Sequence, residues 1–182
     1  MENKLLNIKK VTHSVTISER NRMNDHFSGI LHFIGEDKLQ TSLLMSKLEK
    51  ELFRSGLQVG LINDAKMREG LNNALNQSND ALESQRRANE MINLMLHAGW
   101  LVLTDFPLST ISEINRFSLE HKINLAKVRI KLDDSFNETK EIILRRENNS
   151  SEIIVPNKAA HKSHTLSTIV RIIYDFYDFK LS

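Results

Sequence analysis

Residues 29–56 read GILHFIGEDKLQTSLLMSKLEKELFRSG, and the fold turns on them. Ile30 to Ile34 is a short apolar run, long enough for a buried strand. Leu39 to Ser55 then carries helical spacing, with Leu44, Leu48 and Leu52 on one stripe and Gly56 as the stop. Strand, tight loop and helix in this order open a mononucleotide-binding fold. The loop between Gly35 and Ser42 is where a phosphate would sit.

The same alternation continues outward. Upstream, residues 1–14 are polar and mixed, an arm ahead of a domain spanning 15–182, and Ser18 is positioned to cap a short helix, SERNRMNDH. Downstream, QVGLI at 58–62, WLVLT at 100–104, LAKVRIKL at 125–132 and a brief run at 153–155 read as strands. Helical patterns fall at 65–75, 77–98, 110–122, 136–147 and 165–179. The 77–98 helix turns Leu82, Met91, Leu94 and Met95 inward and stops at Gly99, and the last helix turns Ile169, Ile172, Ile173 and Phe176 inward. The fourth strand alternates apolar and basic residues, which places it near a sheet edge or against water. Residues 147–152, ENNSSE, read as a polar loop. Strands alternating with helices predict a parallel sheet covered on both faces. Ligands of such sheets bind at the carboxyl ends of the strands, where the segments 35–41, 63–66, 105–109 and 133–135 meet.

Composition narrows the function classes. A chain of 182 residues suits one domain with a sizeable core. It has no cysteine, which excludes disulfides and thiolate metal sites. No apolar run approaches the ~18 residues of a membrane span, and the start, MENKLLNIKK, has no signal-like region. A cytoplasmic protein is expected. A net charge of +2 argues for neither nucleic acid nor membrane as a partner. His161 and His164 have a spacing that suits a metal pair but no further ligand, so a polar loop is the reading there.

Several short pieces, in order, resemble the adenylylsulfate kinase family: VTISERNRMNDHFSGILHFIG, SKLEKELFRSGLQVGLI, MREGLN, ESQRR and NLMLHAGWLVLTDF, together covering Val15 to Phe106. The resemblance implies a three-layer α/β P-loop kinase fold with a five-stranded parallel sheet and a homodimer. The family's reaction moves the γ-phosphate of Mg·ATP to the 3′-hydroxyl of adenosine 5′-phosphosulfate. It also implies site residues: Gly35, Lys38, Thr41 and Ser42 at the nucleotide loop, Ser42 as the Mg²⁺ hydroxyl if Mg·ATP binds, and Arg68 and Phe106 at the sulfonucleotide. Asp64 is the candidate acid or base.

The residues depart from that pattern where chemistry is concentrated. A P-loop uses glycines so that backbone N–H groups wrap a phosphate, a Lys for the β and γ oxygens, and a Ser or Thr for Mg²⁺. Here Thr41 stands at the Lys position, Lys38 and Gln40 stand at inner glycine positions, and Glu36 and Asp37 bring negative charge. Losing one charge-assisted contact costs about 1.5–3 kcal/mol, and a non-glycine residue forced to positive φ about 1–3 kcal/mol. At the second strand's end the family's Asp-Gly-Asp-Asn corresponds to Asn63-Asp64-Ala65-Lys66, so the acceptor-orienting Asp is Ala65 and Asp64 is one residue away. In the 77–98 helix the family's Arg and Asn correspond to Ala81 and Ser84. Arg86 and Arg87 match its Arg pair, and their residue-level reading is solvated or ion-paired. Asp105 suits a loop cap or a metal-binding acid.

Three expectations follow. The first is a family member that is catalytically inactive and acts as a binding or regulatory partner, with a protein partner and an adenine sulfonucleotide or other anion as ligands, and no cofactor. The second is an active ATP-dependent adenylylsulfate kinase with replaced catalytic residues, using Mg²⁺ with ATP. The third is an interaction or assembly module on this scaffold.

Overall fold

The computed structural model describes residues 14–75, 80–106, 127–133, 143–147, 150–156 and 162–177. In chain order these form α1 (Ile17–Asn24), β1 (Gly29–Ile34), α2 (Lys38–Arg54), β2 (Val59–Ile62), α3 (Asp64–Glu69), α4 (Ala81–His97), β3 (Leu101–Thr104), β4 (Lys127–Asp133), β5 (Ile143–Glu147), β6 (Ser150–Pro156) and α5 (Ser163–Tyr177). One sheet has the order β2-β3-β1-β4-β6-β5. The first five of these strands are parallel, with Leu31 opposite Leu103 and Phe33 opposite Ile130, and β1 is central among them.

The strand alternation of β1 and β3 divides the core into two layers. Leu31, Phe33, Leu101 and Leu103 face one side, where Leu44, Met45, Leu48 and Leu52 of α2 meet Ile169, Ile173 and Tyr174 of α5. Ile30 and Val102 face the other, against Ile17 of α1, Met67 of α3, and Ala88, Ile92 and Leu96 of α4. Helices therefore cover both faces, as expected. Gly56 and Gly99 end α2 and α4 with φ of 87° and 85°, the left-handed region where a side chain is strained.

Several details differ from the sequence reading. α1 is capped by Thr16 rather than Ser18. The Thr16 side chain accepts the Glu19 N–H at 3.2 Å while the Glu19 carboxylate accepts the Thr16 N–H at 2.8 Å, a reciprocal capping box. The inner stripe of α4 is Ala88-Ile92-Leu96, and Leu82 and Leu94 point to solvent at 84% and 64% exposure. The helix expected at 65–75 ends at Glu69. β4 is an interior strand between β1 and β6, not an edge. The end of the helix expected at 136–147 is instead β5, antiparallel to β6, with Glu147 opposite Ser150 where a polar loop was expected. The helix expected at 110–122, the loop at 107–109 and, apart from Ser14, the arm lie outside the described residues. Among the described residues no helix is long and apolar enough to cross a membrane.

Candidate functional site

β1, β2 and β3 end side by side, and the residues that follow them build the site. After β1 the chain takes only three residues before α2 begins. Asp37 is the N-cap, its Oδ1 accepting the Gln40 N–H at 3.0 Å. The Thr41 N–H is already committed to the Asp37 carbonyl at 3.0 Å, and the Thr41 hydroxyl donates to the same oxygen at 2.8 Å. Thr41 is thus buried in the second turn of α2, and Ser42 is the fifth residue of that helix. The reason is local: Asp is among the best N-caps, and Lys-Leu-Gln-Thr has no glycine to hold an open loop.

After β2, buried Asn63 caps α3 by accepting the Lys66 N–H at 2.9 Å. Asp64 and Arg68, one turn apart, form an ion pair. That carboxylate holds the Arg68 guanidinium pKa above its ordinary value. After β3, Asp105 Oδ1 accepts the Asp64 N–H at 3.3 Å, which ties the two strand ends together. Burial pushes the Asp105 carboxyl up, opposed by that N–H and by the charge of Lys38. That bond is of the kind the loop-capping reading of Asp105 expects. Phe106 is buried, its N–H donating to Thr104 Oγ1 at 3.2 Å.

These residues surround a cleft of about 320 Å³. Four of the expected site residues, Lys38, Asp64, Arg68 and Phe106, line it together with Asp105. Gly35, Thr41 and Ser42 are not among the residues lining this cleft. Its far wall comes from Asn72, Asp80, Ala81, Ser84 and Gln85, and Asn72 Nδ2 donates to Ser84 Oγ at 2.7 Å. Asn72 was missed in the sequence. Its only signal was its place in the matching piece MREGLN. The wall thus carries two basic and three acidic side chains, which makes it selective for where an anion can sit rather than broadly attractive.

Arg86 and Arg87 are ion-paired, as read. Their Nε atoms each lie 2.7 Å from the Glu83 carboxylate, which they hold down to a pKa of about 2. Arg87 also donates to the Leu71 carbonyl, pinning the turn after α3. His161 lies outside the described residues. No cluster of three metal-capable side chains occurs among the described residues.

Comparison with known proteins agrees with this architecture. Residues 28–142, more than half of the chain, match the family model described as adenylylsulphate kinase. A protein of Shewanella amazonensis named adenylyl-sulfate kinase is 42% identical over 95 residues, 52% of this chain and 48% of its own length. The namesake of Oceanobacillus iheyensis is 38% identical over 105 residues, 57% of this chain and 53% of its own. This chain therefore spans about half the length of the curated relatives it matches. Among solved structures, a hexameric APS kinase from Thiobacillus denitrificans superposes with a TM-score of 0.60 at 12% identity, covering 91% of this chain and 33% of that one. An APS kinase of Mycobacterium tuberculosis gives 0.53 at 16% identity, over 81% and 98%. The family-model match over more than half of the chain settles the family: it belongs to the adenylylsulfate kinases.

Proposed function

We propose that the cleft binds an adenine sulfonucleotide such as adenylylsulfate, with Arg68 and Lys38 at the start of α2 toward its anionic group and Phe106 in its apolar wall. We further propose that this chain does not transfer phosphate from ATP in the manner of a P-loop kinase. One observation carries that second part: α2 begins at Lys38, so the Gln40 and Thr41 N–H groups are spent on Asp37. Those N–H groups lie in the stretch a phosphate cradle would use, and Thr41 has no charge to offer. Ser42, inside the helix, is poorly placed to hold a metal. Residues 37–42 as they stand do not fit Mg·ATP. On this reading the protein is a cytoplasmic binding or regulatory member of its family, working as a homodimer or with a protein partner.

A second reading, an active ATP-dependent adenylylsulfate kinase, is favoured by the comparisons, because the relatives cited bear that name and match at 38–42% identity. Lys38 and Asp64, both in the cleft wall, are the residues that would have taken over. The two readings separate in one experiment. Calorimetric titration with adenylylsulfate and with Mg·ATP is run beside coupled ADP release. The first reading expects adenylylsulfate to bind, Arg68→Ala to weaken it roughly 10- to 100-fold through loss of a charge-assisted contact, and Mg·ATP to give neither heat nor turnover. Turnover in the kinase range of about 1–100 per second establishes the second.

A further inference from the structure

Asn72 is the cleft residue whose side chain is least explained by the fold. It is 4% exposed, and its N–H is fixed to the Met67 carbonyl at 2.7 Å. Its side-chain Nδ2 reaches across to Ser84 in the first turn of α4. The other end of the amide, Oδ1, is buried and has no hydrogen-bond partner among the described residues. Reversing the amide does not remove the deficit. Ser84 would then donate to Oδ1, and Nδ2 would be the end without a partner. A buried polar atom in this state is costly and uncommon in native proteins. A polar group kept unsatisfied in the wall of a cleft is what a site looks like before a ligand completes it.

We propose that Asn72 is a specificity-determining residue: its side-chain oxygen accepts a hydrogen bond from a neutral donor on the uncharged part of a nucleotide whose anionic group lies at Arg68. This rests on the reading that the cleft takes a nucleotide, and adds which part of the ligand is recognised. The Ser84 contact holds one end of the amide and so fixes where its oxygen sits. The basic residues of the wall, Lys38 and Arg68, fix where negative charge can go. Asn72, Ser84 and Gln85 supply neutral polar groups for the rest. Two donors on a nucleotide meet this requirement, an exocyclic amine of the base and a ribose hydroxyl.

The test is calorimetric titration of the full chain and of Asn72→Leu with adenosine 5′-monophosphate, its 6-unsubstituted purine analogue, its 2′- and 3′-deoxy analogues, and adenylylsulfate. Asn72→Leu is expected to weaken adenosine monophosphate about five- to tenfold, the worth of one hydrogen bond. It is expected to leave unchanged the one analogue that lacks the donor in question, the purine analogue for a base amine or a deoxy analogue for a hydroxyl. A purely structural role moves all ligands alike, so equal weakening, or none, overturns the proposal. If Asn72→Leu does not fold, Ser84→Ala replaces it. Freeing the amide is then expected to shrink the affinity difference between adenosine monophosphate and the sensitive analogue, and an unchanged difference overturns the proposal. Adenylylsulfate separates this inference from the reading beneath it. If it fails to bind while adenosine monophosphate binds in an Asn72-dependent way, the sulfonucleotide reading falls and Asn72 stands. If it binds the native chain and the Leu variant equally, the reverse holds. Absence of binding by every ligand overturns both.

Discussion

Asp37 both starts α2 and occupies the backbone that a phosphate would need, and the two roles can be separated by mutation. Asp37→Ala removes the bond to the Gln40 N–H, one N-cap interaction worth about 1 kcal/mol. For a domain of this size that corresponds to roughly 2–4 °C in Tm. Asp37→Asn keeps an efficient cap and removes only the charge. Asp37 is exposed, so its repulsion of an anion about 4 Å away has the water-like value of about 1 kcal/mol per unit charge, or about fivefold in affinity. Asp37→Asn should therefore retain native stability and strengthen binding of tripolyphosphate several-fold. It should still not bind Mg·ATP tightly, because the Thr41 N–H remains inside the helix and no lysine replaces Thr41. Urea denaturation measures the first effect, and calorimetry with tripolyphosphate and Mg·ATP the second. An Asp37→Ala variant as stable as the native chain would remove the cap from the argument. Micromolar Mg·ATP binding by Asp37→Asn would show that this single charge, and not the helix start, was the obstacle.

Other consequences can be measured on the same preparation. Leu48→Ala empties a position of zero exposure between α2 and the sheet, and should cost about 2–5 kcal/mol in urea denaturation. Gly99→Ala forces a side chain onto a φ of 85° and within 2.7 Å of Asn24 Nδ2, which donates to the Gly99 carbonyl. A loss of about 1–3 kcal/mol is expected from the backbone alone. His26 is buried, accepts the Gln58 N–H at Nε2 at 2.8 Å, and has its pKa lowered by burial. Its unfolded form gains a proton first, so stability should be full above the unfolded value of about 6.5 and should fall as pH drops through it toward the lower folded pKa. Chemical denaturation from pH 8 to 5 reads this slope, and a His26→Gln variant with the same slope would assign it elsewhere.

Much of this molecule is legible from its residues, and the exceptions have physical causes. β1 and α2 follow from an apolar run, whose Ile30, Leu31 and Phe33 are buried, and a fully buried Leu44-Leu48-Leu52 stripe. The ion pairing of Arg86 and Arg87 follows from Glu83 lying three and four residues before them. The cap of α1 was also in the text, since Thr-Ile-Ser-Glu at 16–19 is a capping-box pattern that outranks Ser18. The phase of α4 was misjudged because apolar residues sit on more than one of its faces, and only the sheet decides between Ile92-Leu96 and Leu82-Leu94. β5 was misread because Ile143 to Glu147 has no alternation of its own; pairing with β6 overrides a weak helical pattern. In the site, the residues that come together follow the strand ends and could be placed by topology. The effect of Asp37 was read as repulsion, whereas its geometric role as a cap decides where the helix starts. Asn72 gave no chemical signal, because an unsatisfied atom is a property of packing and not of sequence.

The antiparallel pairing of β5 with β6 has a consequence for how copies of this chain could meet. Among the described residues the two outermost strands are short, four residues in β2 and five in β5. A short rim presents few open backbone donors and acceptors, so it is a poor template for a neighbour's strand. Self-association that continues one sheet into the next is disfavoured on both flanks. Were copies to meet, the outer helical surfaces, where exposed apolar side chains such as Met23, Phe53 and Leu82 are found, would be the place for it.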